Sequence, residues 1–154
     1  MVIKLLHGYI HKDPETIALL YRNKYFVLPI VNVDGSHTIL EHYEQTGQLL
    51  LKRKNNNFEY ESALGMQCEF ATKGVDINRN YGYLWGNDKN GPCSESYPGP
   101  YAFSEPETKA MRNLLNRYHD TIKFVYNFHA YGPMFVWPYN GEIENELEIS
   151  NPEA

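Results

Sequence analysis

Apolar and polar positions divide this chain into two patterned ends and a long polar middle. Val2, Ile3, Leu5, Leu6, Tyr9 and Ile10 recur at helical spacing and predict a helix over residues 2–10. Asp13-Pro14-Glu15 predicts the start of a second helix, with Asp13 as N-cap and Pro14 at the first helical position. Ile17, Leu19 and Leu20 supply its apolar face, and Asn23-Lys24 ends it. Residues 25–31 form a continuous apolar run, which predicts a strand buried on both faces. Pro29 inside that run requires a bulge or irregular pairing. Asn32-Val33-Asp34-Gly35 reads as a turn, followed by a helix over about 36–46.

Residues 47–73 and 82–103 read as two long loops. Loops of that length in one domain are often functional or covalently tied down. Within the first, Lys52-Arg53-Lys54-Asn55-Asn56-Asn57 is too polar to bury itself. Ser104-Glu105-Pro106-Glu107 predicts a capping box with Ser104 as the cap. Met111, Leu114, Leu115 and Tyr118 are the buried face of the helix it opens. A strand is predicted over 122–129, with Ile122, Phe124, Tyr126 and Phe128 on one face and Val125, Asn127 and His129 on the other. Gly132-Pro133 breaks the chain before a further strand at 134–137, and the tail from Gly141 is acidic without apolar period. Helix, strand, helix, loops, helix, strand is the order of an α/β layer architecture.

Composition narrows the function. The 154 residues suffice for one domain with a core. A net charge of -5, with no basic stripe beyond Lys52-Arg53-Lys54, argues against a nucleic-acid partner. No apolar run approaches the ~20 residues of a membrane span. Met1 to Leu6 is interrupted too soon by His7-Gly8 to be a signal peptide. Thirteen tyrosines suit a cleft that is half apolar and half hydrogen-bonding.

Two features could carry chemistry. Gly74-Val75-Asp76-Ile77-Asn78-Arg79-Asn80 places an amide beside a guanidinium fork, a pair suited to gripping a carboxylate at two points. Read alone, the same stretch is equally a surface turn with a solvated arginine. His129 falls at the predicted carboxyl end of a strand, where ligands of open α/β sheets sit. Cys68 and Cys93 are either two unrelated thiols or a bridge tying the two long loops together around the 74–80 stretch. A bridge would imply an oxidising compartment.

Four segments in order resemble the metallocarboxypeptidases of the zinc carboxypeptidase (M14) family. They are Leu28-Pro29-Ile30-Val31-Asn32-Val33-Asp34-Gly35, the 74–80 stretch, Pro92 through Glu105, and Phe128-His129-Ala130-Tyr131 with Trp137-Pro138-Tyr139. The resemblance implies a mixed β-sheet flanked by helices, of the phosphorylase/hydrolase-like kind. Residues 1–154 would be the central portion of that catalytic domain. It implies that His129 is a zinc ligand, and that Asn78 and Arg79 bind the C-terminal carboxylate of a peptide. It places Arg53 and Tyr131 among the substrate-binding residues and makes a Cys68–Cys93 disulfide expected. It points to peptide or protein C-termini as partners, and to a secreted or endomembrane-lumen location for a full-length parent.

The departures are equally specific. No histidine here has glutamate three residues later, so the family's His-x-x-Glu zinc motif has no match. Two of three Zn²⁺ ligands are therefore expected to be missing from this chain, as are the family's catalytic glutamate and substrate-capping tyrosine. Asn56 stands where the family's oxyanion arginine would be, as an amide able to donate one uncharged hydrogen bond. The expectation is a zinc-carboxypeptidase family member that is inactive as this chain alone. The alternative is a non-catalytic homologue that binds peptide C-terminal carboxylates. A generic α/β hydrolase finds no Gly-x-Ser-x-Gly elbow here.

Overall fold

The computed structural model describes residues 2–87, 90–130 and 136. Its α-helices are α1 (Val2–Ile10), α2 (Pro14–Arg22), α3 (Val33–Thr46), α4 (Glu59–Ala63) and α5 (Pro106–Tyr118), with single 3₁₀ turns at Phe70–Thr72 and Ile77–Arg79. Asp13 caps α2 as the sequence predicts, its carboxylate accepting from Thr16 N at 2.8 Å. The Thr16 side chain and then this backbone bond hold the Asp13 carboxyl below its ordinary value. Helices α1 and α2 meet where buried Gly8 lies against the Thr16 side chain, leaving no room for a Cβ.

Two helix starts differ from expectation. The Asn32–Gly35 segment is not a free turn. Asn32 is an N-cap whose Oδ1 accepts from Gly35 N at 3.0 Å, so α3 begins at Val33. The capping residue of α5 is Glu105, not Ser104, and no side chain caps the helix. Ser104 Oγ instead donates to Glu105 Oε1 at 2.6 Å and accepts from Asn80 Nδ2 at 2.8 Å. The same dipeptide that signals a cap is spent on a tertiary contact.

The expected sheet is not formed: among the described residues there is no strand. Residues 25–31 and 122–129 have no regular secondary structure, and the chain is therefore not a mixed α/β layer over these residues. The apolar run at 25–31 is largely exposed, and Phe124 is 81 % and Phe128 79 % exposed. An apolar period marks a segment as able to pack in a sheet. The ladder itself needs a neighbouring backbone, which local sequence does not encode. Phe26 packs instead against Tyr118 near the end of α5, ring centroids 4.5 Å apart. The strand predicted at 134–137 lies, apart from Val136, outside the described residues.

The best-buried part of the structure is the polar middle. Lys54, Glu105, Val75, Asn55, Asn80, Thr108 and Asp76 are its largest fully buried side chains. Lys52, Lys54 and Asn55 of the 52–57 run are thus buried, whereas Arg53 stays exposed. Lys54 Nζ donates to Thr72 O, to Pro92 O at 2.6 Å and to Ser94 O at 2.9 Å. Cys68 and Cys93 are joined as a disulfide that closes the same two loops.

Candidate functional site

The 74–80 stretch is a short buried segment with an exposed tip. Gly74 has φ +99° and sits against the carbonyl of Asn55, a position only glycine can take. Asn55 N donates to Val75 O at 3.0 Å, and Val75 N donates to Asn55 Oδ1 at 2.9 Å. Val75, Asp76, Ile77 and Asn80 are buried, whereas Asn78 and Arg79 are exposed. The turn therefore displays the amide and the guanidinium that the sequence singles out.

Asp76 organises that tip. It caps the 3₁₀ turn, its Oδ1 accepting from Asn78 N at 3.0 Å and its carbonyl from Arg79 N at 2.9 Å. Its Oδ2 accepts from Arg53 Nε at 2.7 Å. Arg53 is thereby brought to the 77–79 turn from 23 positions away in sequence. Arg79 Nη1 donates to Asn78 O at 3.3 Å.

Asn80 anchors the base. Its Nδ2 donates to Pro98 O at 2.8 Å, Tyr101 O at 3.1 Å and Ser104 Oγ at 2.8 Å. Its Oδ1 accepts from Thr108 Oγ1 at 2.6 Å and from Glu105 N at 3.2 Å. Gly99, at φ +82°, passes so close to Asn80 and Ser104 that a Cβ would collide with both. Among the described residues no ion pair reaches Glu105; Asn55 Nδ2 at 2.7 Å, Asn57 Nδ2 at 2.9 Å and Ser104 Oγ donate to its carboxyl. Burial pulls the Lys54 ammonium down to about 8 and also lowers Lys52, with Glu61 opposing both. Burial raises the Glu107 carboxyl, against hydrogen bonds that favour its charged form.

Asn56 is not an oxyanion donor in this structure. Its Nδ2 donates to Thr38 Oγ1 at 2.8 Å and Asp34 O at 3.3 Å, which uses both amide hydrogens on α3. His129 is exposed, lies in the irregular segment after α5 and ends no strand. Tyr131 lies outside the described residues, as do Trp137 and Tyr139. The structure thus joins Arg53 to Asp76 at the start of the 77–79 turn and does not bring His129 to that turn by any described contact. Among the described residues no three His, Cys, Asp or Glu side chains stand close enough to hold a metal ion. No described helix is long and apolar enough to cross a membrane.

Asp76, Asn80, Asn55 and Glu105 were not singled out by sequence reasoning. An Asp two residues before Asn78 is the signature of an Asx turn and was legible. The Asn55–Glu105 pairing, spanning 50 positions, was not.

The family model described as zinc carboxypeptidase matches residues 1–153. Human carboxypeptidase A6 is 31% identical over 130 residues, covering 83% of this chain and 26% of that protein. Mouse mast cell carboxypeptidase A is 34% identical over 130 residues, covering 83% of this chain and 28% of that protein. Human carboxypeptidase B is 30% identical over 145 residues, covering 90% of this chain and 31% of that protein. The chain thus spans between a quarter and a third of the length of these relatives.

Proposed function

Because this chain belongs to the zinc carboxypeptidase family, we propose that its 77–79 turn, with Arg53, grips the free C-terminal carboxylate of a peptide. The observation that carries the reading is the exposure of Asn78 and Arg79 on a turn whose other residues are buried and hydrogen-bonded. A held guanidinium and amide are selective for a carboxylate over an amide because the charge-assisted bonds require the anion. Residues 1–154 are read as the central part of a carboxypeptidase catalytic domain, within a protein that removes C-terminal residues.

The family is one of zinc enzymes, and His129 is the ligand this chain is proposed to supply. Hydrolytic zinc needs three protein ligands and an open position. The donor groups described do not fit that requirement, His129 being a single exposed imidazole. What this chain's own residues do is therefore binding and orientation. The Cys68–Cys93 bridge supports an oxidising compartment such as the secretory lumen or the cell exterior.

A second reading, a non-catalytic binder of peptide C-termini, is favoured by Asn56. Its amide hydrogens are committed to Thr38 and Asp34 and cannot steady an oxyanion. Titration of the chain with one peptide as free acid and as carboxamide tests the carboxylate reading, with preference for the acid expected and equal binding overturning it. Incubation with peptide and added Zn²⁺ separates the two readings: release of a C-terminal residue by this chain would remove the binding-only one.

A further inference from the structure

Helix α1 closes on a left-handed residue. Lys12 has φ +57°, its N–H donates to Tyr9 O at 3.1 Å, and Asp13 N donates to Gly8 O at 2.9 Å. This nested pair of bonds is the Schellman closure, and it fixes the backbone just beyond His11. His11 N donates to His7 O at 3.0 Å, so the two histidines stand one turn apart on one helix face. Gly8 beside them is packed against Thr16 of α2, with no room for a Cβ. The backbone carrying the pair is therefore held both by the closure and by the neighbouring helix. Both imidazoles are exposed, with ring centroids 4.1 Å apart and planes tilted by 42°. Among the described residues no acid is paired with either ring.

We propose that His7 and His11 form a two-imidazole surface site for a first-row transition-metal dication, Cu²⁺ above all. Two nitrogens bound to one ion at zinc-like distances lie at most about 4.2 Å apart. The two rings already stand within that span, so the helix need not move to bring both to one ion. Imidazole suits copper, nickel and zinc, and the order of divalent affinities puts Cu²⁺ first. Water fills the remaining positions, since both rings face solvent. A single histidine in the last turn of a helix is accounted for by the helix dipole. Two in contact are not, because as imidazolium ions they would repel each other. A cation shared by two neutral rings removes that conflict.

The test titrates the whole chain with Cu²⁺, read by calorimetry and by electron paramagnetic resonance. The first equivalent is expected to show two nitrogen donors on the copper. The nitrogen count separates this pair from His37 and Glu41 on α3, which offer one nitrogen and a carboxylate. His7→Gln and His11→Gln each leave a single imidazole and break the chelate. Each is expected to weaken the first equivalent by about tenfold or more. Two unlinked histidines would leave it at full strength in either single variant, and that result overturns the proposal. Should a variant fail to fold, the wild-type spectrum decides: two nitrogen donors uphold the site, and one nitrogen donor overturns it. The readout is metal binding alone, so the outcome is independent of the carboxylate reading.

Discussion

Asn55 Nδ2 donates to Glu105 Oε2 at 2.7 Å, joining residues 50 positions apart in a fully buried contact. Asn55 Oδ1 meanwhile accepts from Val75 N. One amide thus holds both the capping residue of α5 and the segment that leads to the Asn78–Arg79 turn. Asn55→Ala is expected to cost about 3 kcal/mol, because it strips a donor from a buried carboxylate and orphans the Val75 N–H. Asn55→Asp should cost more, since it sets a second carboxylate against Glu105. Chemical denaturation of both variants checks the order; equal stability of N55D and wild type contradicts it.

The disulfide joins Cys68 to Cys93, a sequence separation of 25. Cys68→Ala/Cys93→Ala is expected to lose about 3 kcal/mol of unfolding free energy by the loop-entropy argument. Denaturation of the double variant beside the oxidised wild type measures it. An unchanged midpoint would show that Lys54 and its carbonyl partners hold the two loops without the bridge.

Lys54 gives a pH dependence whose sign can be worked out. Burial lowers the folded ammonium to about 8, against an ordinary 10.5 in the unfolded chain. Between those values the unfolded chain binds more protons, so this group makes stability rise as pH rises through the window. Below pH 8 its contribution is flat. The tyrosines Tyr60, Tyr81 and Tyr97, raised by burial above their ordinary 10, act in the opposite sense only at higher pH. Urea midpoints from about pH 8 to 9.5 should climb in wild type and climb less in Lys54→Met, where Lys52, also lowered by burial, keeps its own share of the rise. A wild-type midpoint that falls over this range contradicts the assignment.

Glu107 supplies a second case. Its Oε2 is buried without a hydrogen-bond partner, and burial raises the carboxyl above its ordinary 4.5. A raised carboxyl contributes stability at low pH that is lost as pH rises through the folded value. Glu107→Gln should therefore be more stable than wild type at pH 7, by less than about 1 kcal/mol because the carboxyl is partly solvent-screened. The gain should vanish once the wild-type carboxyl is protonated. Thermal melts at both pH values check it, and a destabilised E107Q at pH 7 contradicts it.

How much of this was legible follows from the range of each signal. Helices α1 and α2, with the Asp13-Pro14 start, could be read because their apolar period and caps are local. The Asn78–Arg79 pair could be read because its chemistry lies in adjacent residues. The segments at 25–31 and 122–129 form no strand, since their apolar content speaks of packing and not of a partner strand. Lys54 misled in the other direction. A lysine in a polar run reads as solvated, and only the convergence of carbonyls from Thr72, Pro92 and Ser94 makes it buried. The local pattern at Ser104 fits a cap, whereas Asn80 and Glu105 claim its hydroxyl.

The central claim is that Asn78 and Arg79 form a carboxylate grip on a rigid buried base. It is tested most directly by the affinity of Arg79→Ala for a peptide with a free C-terminus and for the same peptide amidated. The account predicts that R79A weakens the free acid by about tenfold or more, ~1.4 kcal/mol, and leaves the amide unchanged. Equal weakening of both peptides, or none of either, would contradict it.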